Sequence, residues 1–269
     1  MQLSRDSRIR DERNGASAAF MSIDNEQDLE GIRRAGRAVA DTLAAMRAAV
    51  RPGITTGELD EIGARTVARA GARSAPRIVY GFPGINLISV NDEIVHGIPG
   101  ERRLEAGDIV KLDVTLEVEG YIADAAETVV VPPVSATAAR LRACARDAFR
   151  RGLAAAQVGV PVRAIGAAVE RHVRGCGFHV VRELTGHGVG RTIHEQPSVP
   201  NYDDPFATTR LTAGLVITIE PLISASSTRA VTAADGWTIR TQNASLAAHH
   251  EHTVIVWRGR TEIVTRPAV

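Results

Sequence analysis

Apolar and polar positions alternate most regularly over residues 108–131, DIVKLDVTLEVEGYIADAAETVVV. Val110, Leu112, Val114, Leu116 and Val118 interleave with Lys111, Asp113, Thr115 and Glu117, a period of two that predicts a strand with one apolar face. Glu119-Gly120 then offers a two-residue hairpin turn, since glycine takes positive φ without a Cβ penalty. With that turn Asp124 on the returning strand lies opposite Thr115. Asp113 lies diagonal to it on the same face, within about 7–8 Å. Further β-rich runs are LVITIE (215–220) and EHTVIV (251–256). Helical patterning begins after SIDN (22–25), whose Asp and Asn are good caps, and the folded body is expected to start there.

The pattern occurs twice. LEAGDIVKLD (104–113) resembles LTAGLVITIE (211–220) at an offset of 107 residues. PGITTGELDEIGARTVARAG (52–71) parallels VGVPVRAIGAAVERHVRGCG (158–177), with Gly53 matching Gly159. Each copy reads helix, Gly/Pro turn, helix, then strands. Two independent matches at nearly the same spacing predict one α/β domain over residues 21–269, in similar halves of about 29–131 and 138–257. VPPVSATAARL (131–141) marks the seam, with two prolines ahead of Ser135 or Thr137 as a helix cap. A site is then expected at the pseudo-twofold axis, where equivalent strands meet.

Composition narrows the class. A net charge of +1 gives no electrostatic reason to expect nucleic acid or a membrane surface, and no basic patch or nucleic-acid motif is present. There is no long uncharged apolar run to span a bilayer. Residues 1–20 are charged throughout, lack the apolar core of a signal peptide, and read as a flexible arm on a cytoplasmic protein. Cys144 and Cys176 lie in Ala/Arg-rich helical stretches and read as free thiols, which excludes a disulfide scaffold.

The candidate chemistry sits in carboxylates and imidazoles. Asp113 and Asp124 point the same way from paired strands, which is costly unless a cation or proton lies between them. On an isolated hairpin they could be surface aspartates, but the second half repeats the arrangement. Glu220 ends an otherwise apolar run and Glu251 opens another, and a lone buried acid is costly without a partner. A cation centre is the better reading, with Mn, Fe, Co or Zn suited to carboxylates and histidine. In ELTGHGVGRTIHEQP (183–197), His187 and His194 are seven apart, but Gly186, Gly188 and Gly190 argue against a helix at about 1 kcal/mol each. Those glycines are expected to let the backbone approach the centre.

GHGVGRTIHEQP, TIEP (218–221), EHTVIV, NDEIVHGIP (91–99) and two aspartates eleven apart together resemble the type I methionine aminopeptidases, from about Ile23 to Val256. The resemblance implies the pita-bread fold, an α/β (α+β) architecture of pseudo-twofold halves with a curved antiparallel sheet and outer helices. It implies two divalent metal ions held by Asp113, Asp124, His187, Glu220 and Glu251. Asp124 and Glu251 would bridge, Asp113 would serve one ion, and His187 with Glu220 the other. It implies His96, His194 and Glu220 as catalytic, with His194 on the developing oxyanion, His96 on the substrate's amino end or first peptide nitrogen, and Glu220 shuttling a proton. Phe82 and Trp237 would wall a methionine pocket, ordinary core packing being their alternative.

The implied activity is removal of the initiator methionine from nascent polypeptides, met at the ribosome by a monomer that prefers a small second residue. Ala125, Ala126, Leu87 and Ile193 depart from common family residues and bear on pocket shape and rate. His172, His179, His249, His250 and His252 read as structural or supporting. Two alternatives stand beside this: an Xaa-Pro aminopeptidase or dipeptidase of the same fold, and an inactive peptide-binding scaffold. The short arm speaks against the first, and the complete ligand set against the second.

Overall fold

Asn25 opens the first helix by accepting the backbone N–H of Asp28 at 2.9 Å, and Glu26 and Asp28 complement the positive end of its dipole. The computed structural model describes residues 23–266, so the expected arm over 1–20 lies outside the described residues. Helix α1 (Glu26–Ala49) leads to α2 (Thr56–Arg69), where Thr55 and Glu58 cap each other reciprocally. Next come β1 (Arg73–Ser74), α3 (Ala75–Tyr80), β2 (Leu87–Val90), β3 (Glu93–Val95), β4 (Ile109–Val118) and β5 (Tyr121–Val130). The second half has α4 (Ala136–Ala155), α5 (Arg163–Gly175), β6 (His179–Val180), β7 (Thr185–Gly188), β8 (Glu195–Pro200) and β9 (Val216–Ile219). Strands β10 (Leu222–Ser224), β11 (Ala230–Thr232), β12 (Ile239–Thr241), β13 (Ala247–His249), β14 (Glu251–Trp257) and β15 (Arg260–Ile263) follow. Ser135 is the cap of α4, accepting from Ala138 N.

The duplication is visible in backbone detail. Gly107 and Gly214 have φ of 96° and 86°, just before β4 and β9, and Gly53 and Gly159 have φ of 83° and 86°. Arg103 Nη1 donates to Gly53 O at 2.7 Å, and Arg210 Nη1 to Gly159 O at 2.6 Å, the same contact in each half.

The main sheet runs β1-β4-β5-β14-β9-β7-β8, so β5 of the first half and β14 of the second pair at its middle. Helices cover one face. Leu112, Val114 and Leu116 of β4 pack with Ile32, Ala35, Val39 and Leu43 of α1. Ile217 and Ile219 of β9 pack with Phe149 of α4 and Ile165 of α5. Alternation then sends Asp113, Thr115, Asp124 and Thr218 to the opposite face.

Alternation predicts one apolar face on β4, and every residue of β4 on both faces is buried. Its polar row faces a second layer of protein instead of bulk water. Lys111, 1% exposed, is accommodated because its Nζ donates to Asn91 O at 2.8 Å, and burial lowers its pKa to about 7.

Candidate metal centre

Asp113, Asp124 and Glu251 stand in two neighbouring rows across the centre of the sheet. Thr115 stands opposite Asp124, as the hairpin turn predicts, with Glu119 and Gly120 both at positive φ. Asp113 stands opposite Ala126, and Ala126 opposite Glu251 of β14. Only a methyl group therefore lies between two carboxylates, which leaves the space above it open. Glu220 follows β9 and His187 lies in β7, and all five residues are between 2% and 9% exposed. Ligand atoms of Asp124, His187 and Glu251 lie within 4.8 Å of one another.

Two details orient these side chains. The His187 N–H donates to Thr218 Oγ1 at 3.0 Å, and that hydroxyl donates to Glu220 Oε1 at 2.8 Å. His187 Nδ1 lies 2.9 Å from Gly188 O. A carbonyl only accepts, so Nδ1 carries the proton and the neutral ring keeps the Nε2 lone pair, 3.5 Å from Glu220 Oε1. The flanking glycines have a different purpose from the one expected. A Cβ on Gly186 would meet Thr218 O at 2.7 Å, and one on Gly188 would meet Gln196 O at 2.1 Å. Close approach of β8 and β9 to β7, not approach to the centre, demands glycine.

The donor set fits divalent cations. Desolvation raises Asp124 to about 7 and pushes Asp113, Glu220 and Glu251 well above the usual carboxylate range, and the neighbouring carboxylates push those three further the same way. Asp124 Oδ1 and Glu251 Oε1 are buried without a hydrogen-bond partner among the described residues. A cation among these oxygens satisfies the orphaned atoms and restores the acids to their ionised forms.

His194 stands beside His187, ring centroids 4.3 Å apart, and its Nδ1 is 2.6 Å from the Tyr80 hydroxyl. Desolvation holds His194 and His96 below the ordinary imidazole range. His96 directly follows β3 in the left-handed region, with φ of 61°, a strained position for a non-glycine. Phe82 and Trp237 meet edge to face, centroids 5.3 Å apart. Trp237 lies two residues before Ile239, which pairs with Val95 next to His96. Trp237 and His96 thus lie next to the paired strands β12 and β3.

Tyr80, Thr218 and His249 are not marked as site residues by the sequence. Tyr80 could have been, because it precedes Phe82 in the same YGFPG segment. His249 reads from sequence as structural or supporting, yet its Nε2 is 3.3 Å from Glu251 Oε2. His252, by contrast, turns to Thr265 Oγ1 at 2.9 Å. Away from the centre both thiols are free, and His172 Nε2 lies 3.6 Å from Cys176 Sγ on the α5 side.

A duplicated curled sheet that buries acids and imidazoles at its middle defines a metal-dependent hydrolase. Residues 30–258 match the model of metallopeptidase family M24. The chain is 40% identical over 248 residues to methionine aminopeptidase 2 of Bacillus subtilis, covering 91% of this chain and all of that one. The crystal structure of the methionine aminopeptidase from Thermotoga maritima superposes with a TM-score of 0.89 at 31% identity, over 92% of this chain and 100% of that one. The prolidase from Pyrococcus furiosus, with a TM-score of 0.74 and 20% identity over 98% of this chain and 69% of that one, shares the pita-bread fold. The chain belongs to metallopeptidase family M24 and, within it, to the methionine aminopeptidases. Among the described residues no helix is long and apolar enough to cross a membrane.

Proposed function

We propose that the enzyme removes the initiator methionine from nascent polypeptides in the cytoplasm, with a preference for a small second residue. The observation that carries the reading is the buried convergence of Asp113, Asp124, His187, Glu220 and Glu251 beside His194. These five would hold two divalent ions, with Co, Mn, Fe and Zn all compatible with the donors. When bound, such ions supply Lewis acidity to the attacked carbonyl and to the attacking water.

The remaining steps belong to the protein. Glu220 takes the proton of the water and passes it to the leaving amine, while Thr218 Oγ1 fixes its other oxygen. In the tautomer that accepts the Tyr80 hydroxyl at His194 Nδ1, Nε2 bears the proton and donates to the oxyanion that develops on the carbonyl. His187, with its proton on Nδ1, is set up in the opposite way, as a lone-pair donor. His96 receives the substrate's amino end or first peptide nitrogen. Phe82 and Trp237 flank the methionine side chain, whose thioether suits aromatic surfaces.

Methionine release from Met-Gly and Met-Leu peptides, with an Xaa-Pro peptide alongside, tests the specificity. Faster cleavage of Met-Gly is expected. Cleavage confined to Xaa-Pro would move the enzyme to the prolidase-like activity, and equal rates on the two methionine peptides would remove the size preference.

A further inference from the structure

His249 is the one imidazole at the centre that the reading above leaves without a task. It ends β13, and Thr128 of β5 clamps its backbone from both sides. The His249 N–H donates to Thr128 Oγ1 at 2.9 Å, and that hydroxyl donates to His249 O at 2.6 Å. The ring is 1% exposed and aimed at the carboxylates, with Nε2 3.3 Å from Glu251 Oε2 and 3.7 Å from Glu220 Oε2. Neither ring nitrogen has a hydrogen-bond partner among the described residues, so the short distance to Glu251 is not an aligned hydrogen bond. A buried ring with both nitrogens idle is costly, and strands do not hold one rigidly among acids without a compensating contact.

The donors sort into two matching sets. Ligand atoms of Asp113, His249 and Glu251 lie within 4.8 Å of one another, as do those of Asp124, His187 and Glu251. The sets share Glu251, and each combines two carboxylates with one imidazole. The five-ligand assignment gives an imidazole only to the His187 side and leaves Asp113 with carboxylates alone.

We propose that His249 is a sixth metal ligand, its Nε2 serving the position beside Asp113, so that each of the two positions has one imidazole. The inference rests on the two-ion reading given above. An added nitrogen donor tightens the Asp113 position and tilts it toward ions that suit imidazole, Zn, Fe and Co over Mn. His249→Gln keeps a polar side chain of similar length but removes the imidazole.

The test is Co²⁺ titration of the metal-free full chain, followed by proton NMR of the Co²⁺-loaded protein. Imidazoles bound to Co²⁺ are counted through their strongly shifted, solvent-exchangeable N–H signals. Two such signals are expected for the unaltered protein, and one each for His249→Gln, His249→Ala and His187→Ala. One Co²⁺ equivalent should bind at least about tenfold more weakly in the His249 variants, as loss of a donor at a metal site predicts. A single signal in the unaltered protein, or an unchanged count in His249→Gln, would overturn the proposal while leaving the five-ligand centre intact. Failure of the unaltered protein to bind Co²⁺ at all would instead overturn the metal centre itself. The count on the unaltered protein decides the matter even if a variant does not fold.

Discussion

The hydroxyl of Tyr80 lies 2.6 Å from Nδ1 of His194, a contact between residues 114 apart in sequence that fixes which nitrogen of His194 faces the site. Tyr80→Phe removes the donor and lets the ring rotate or change tautomer. Loss of one such bond costs about 1.4 kcal/mol, or tenfold in rate. We expect kcat to fall about tenfold with metal content unchanged, measured by steady-state kinetics and elemental analysis. An unaltered kcat would mean that Tyr80 does not position His194.

His187 and His194 should separate cleanly. His194→Ala is expected to lower kcat by about 10²–10³, the usual cost of deleting an oxyanion donor, with both ions retained. His187→Ala should lose the ion that His187 serves and keep the other, because Nε2 is its free donor. Equal metal loss in both variants would show that the two rings share one role.

Thr218 tests the support beneath the ligands. Its hydroxyl accepts from His187 N and donates to Glu220, so Thr218→Val frees both at once. Metal affinity is expected to weaken about 10–100-fold, read by titration of Co²⁺ into metal-free protein. Unchanged affinity would assign Thr218 to packing alone.

Much of this arrangement can be read from the chain, and the limits have physical causes. The β4–β5 register is legible because alternation and the Glu119-Gly120 turn leave one pairing, which is the pairing found. Asn25 and Ser135 cap their helices as side-chain chemistry predicts. The burial of Lys111 is not legible, because alternation reports which face is apolar and not what covers the polar one. His249 is hidden for a related reason. Its ring reaches Glu251 only because Thr128, 121 residues away, holds its backbone at the centre. The glycines beside His187 are obvious in sequence, but the crowding strands that require them are not.

Metal-free protein should lose stability as pH rises from about 7 to 8.5. Asp113, Asp124, Glu220 and Glu251 have folded pKa values raised above their ordinary ones, Asp124 to about 7, so the folded state binds more protons than the unfolded state in this range. Their penalty grows as pH climbs from the ordinary carboxylate range through the folded values. Lys111, lowered to about 7, acts in the opposite sense, as do the buried histidines His96, His187, His194, His249, His250 and His252, whose contribution fades once the pH passes the ordinary imidazole range. A lower Tm at pH 8.5 than at pH 7 is expected by calorimetry, with Mn²⁺ or Co²⁺ restoring it. A metal-free Tm that rises over this range would contradict the crowding of acids described here.

The most direct test of the whole account is methionine release from a Met-Gly peptide by the full chain after chelation, and again after Co²⁺ or Mn²⁺ is returned. The account predicts no release without metal and full recovery with it. Release that persists in chelated protein shown to be metal-free, or none from protein carrying its full metal complement, would contradict it.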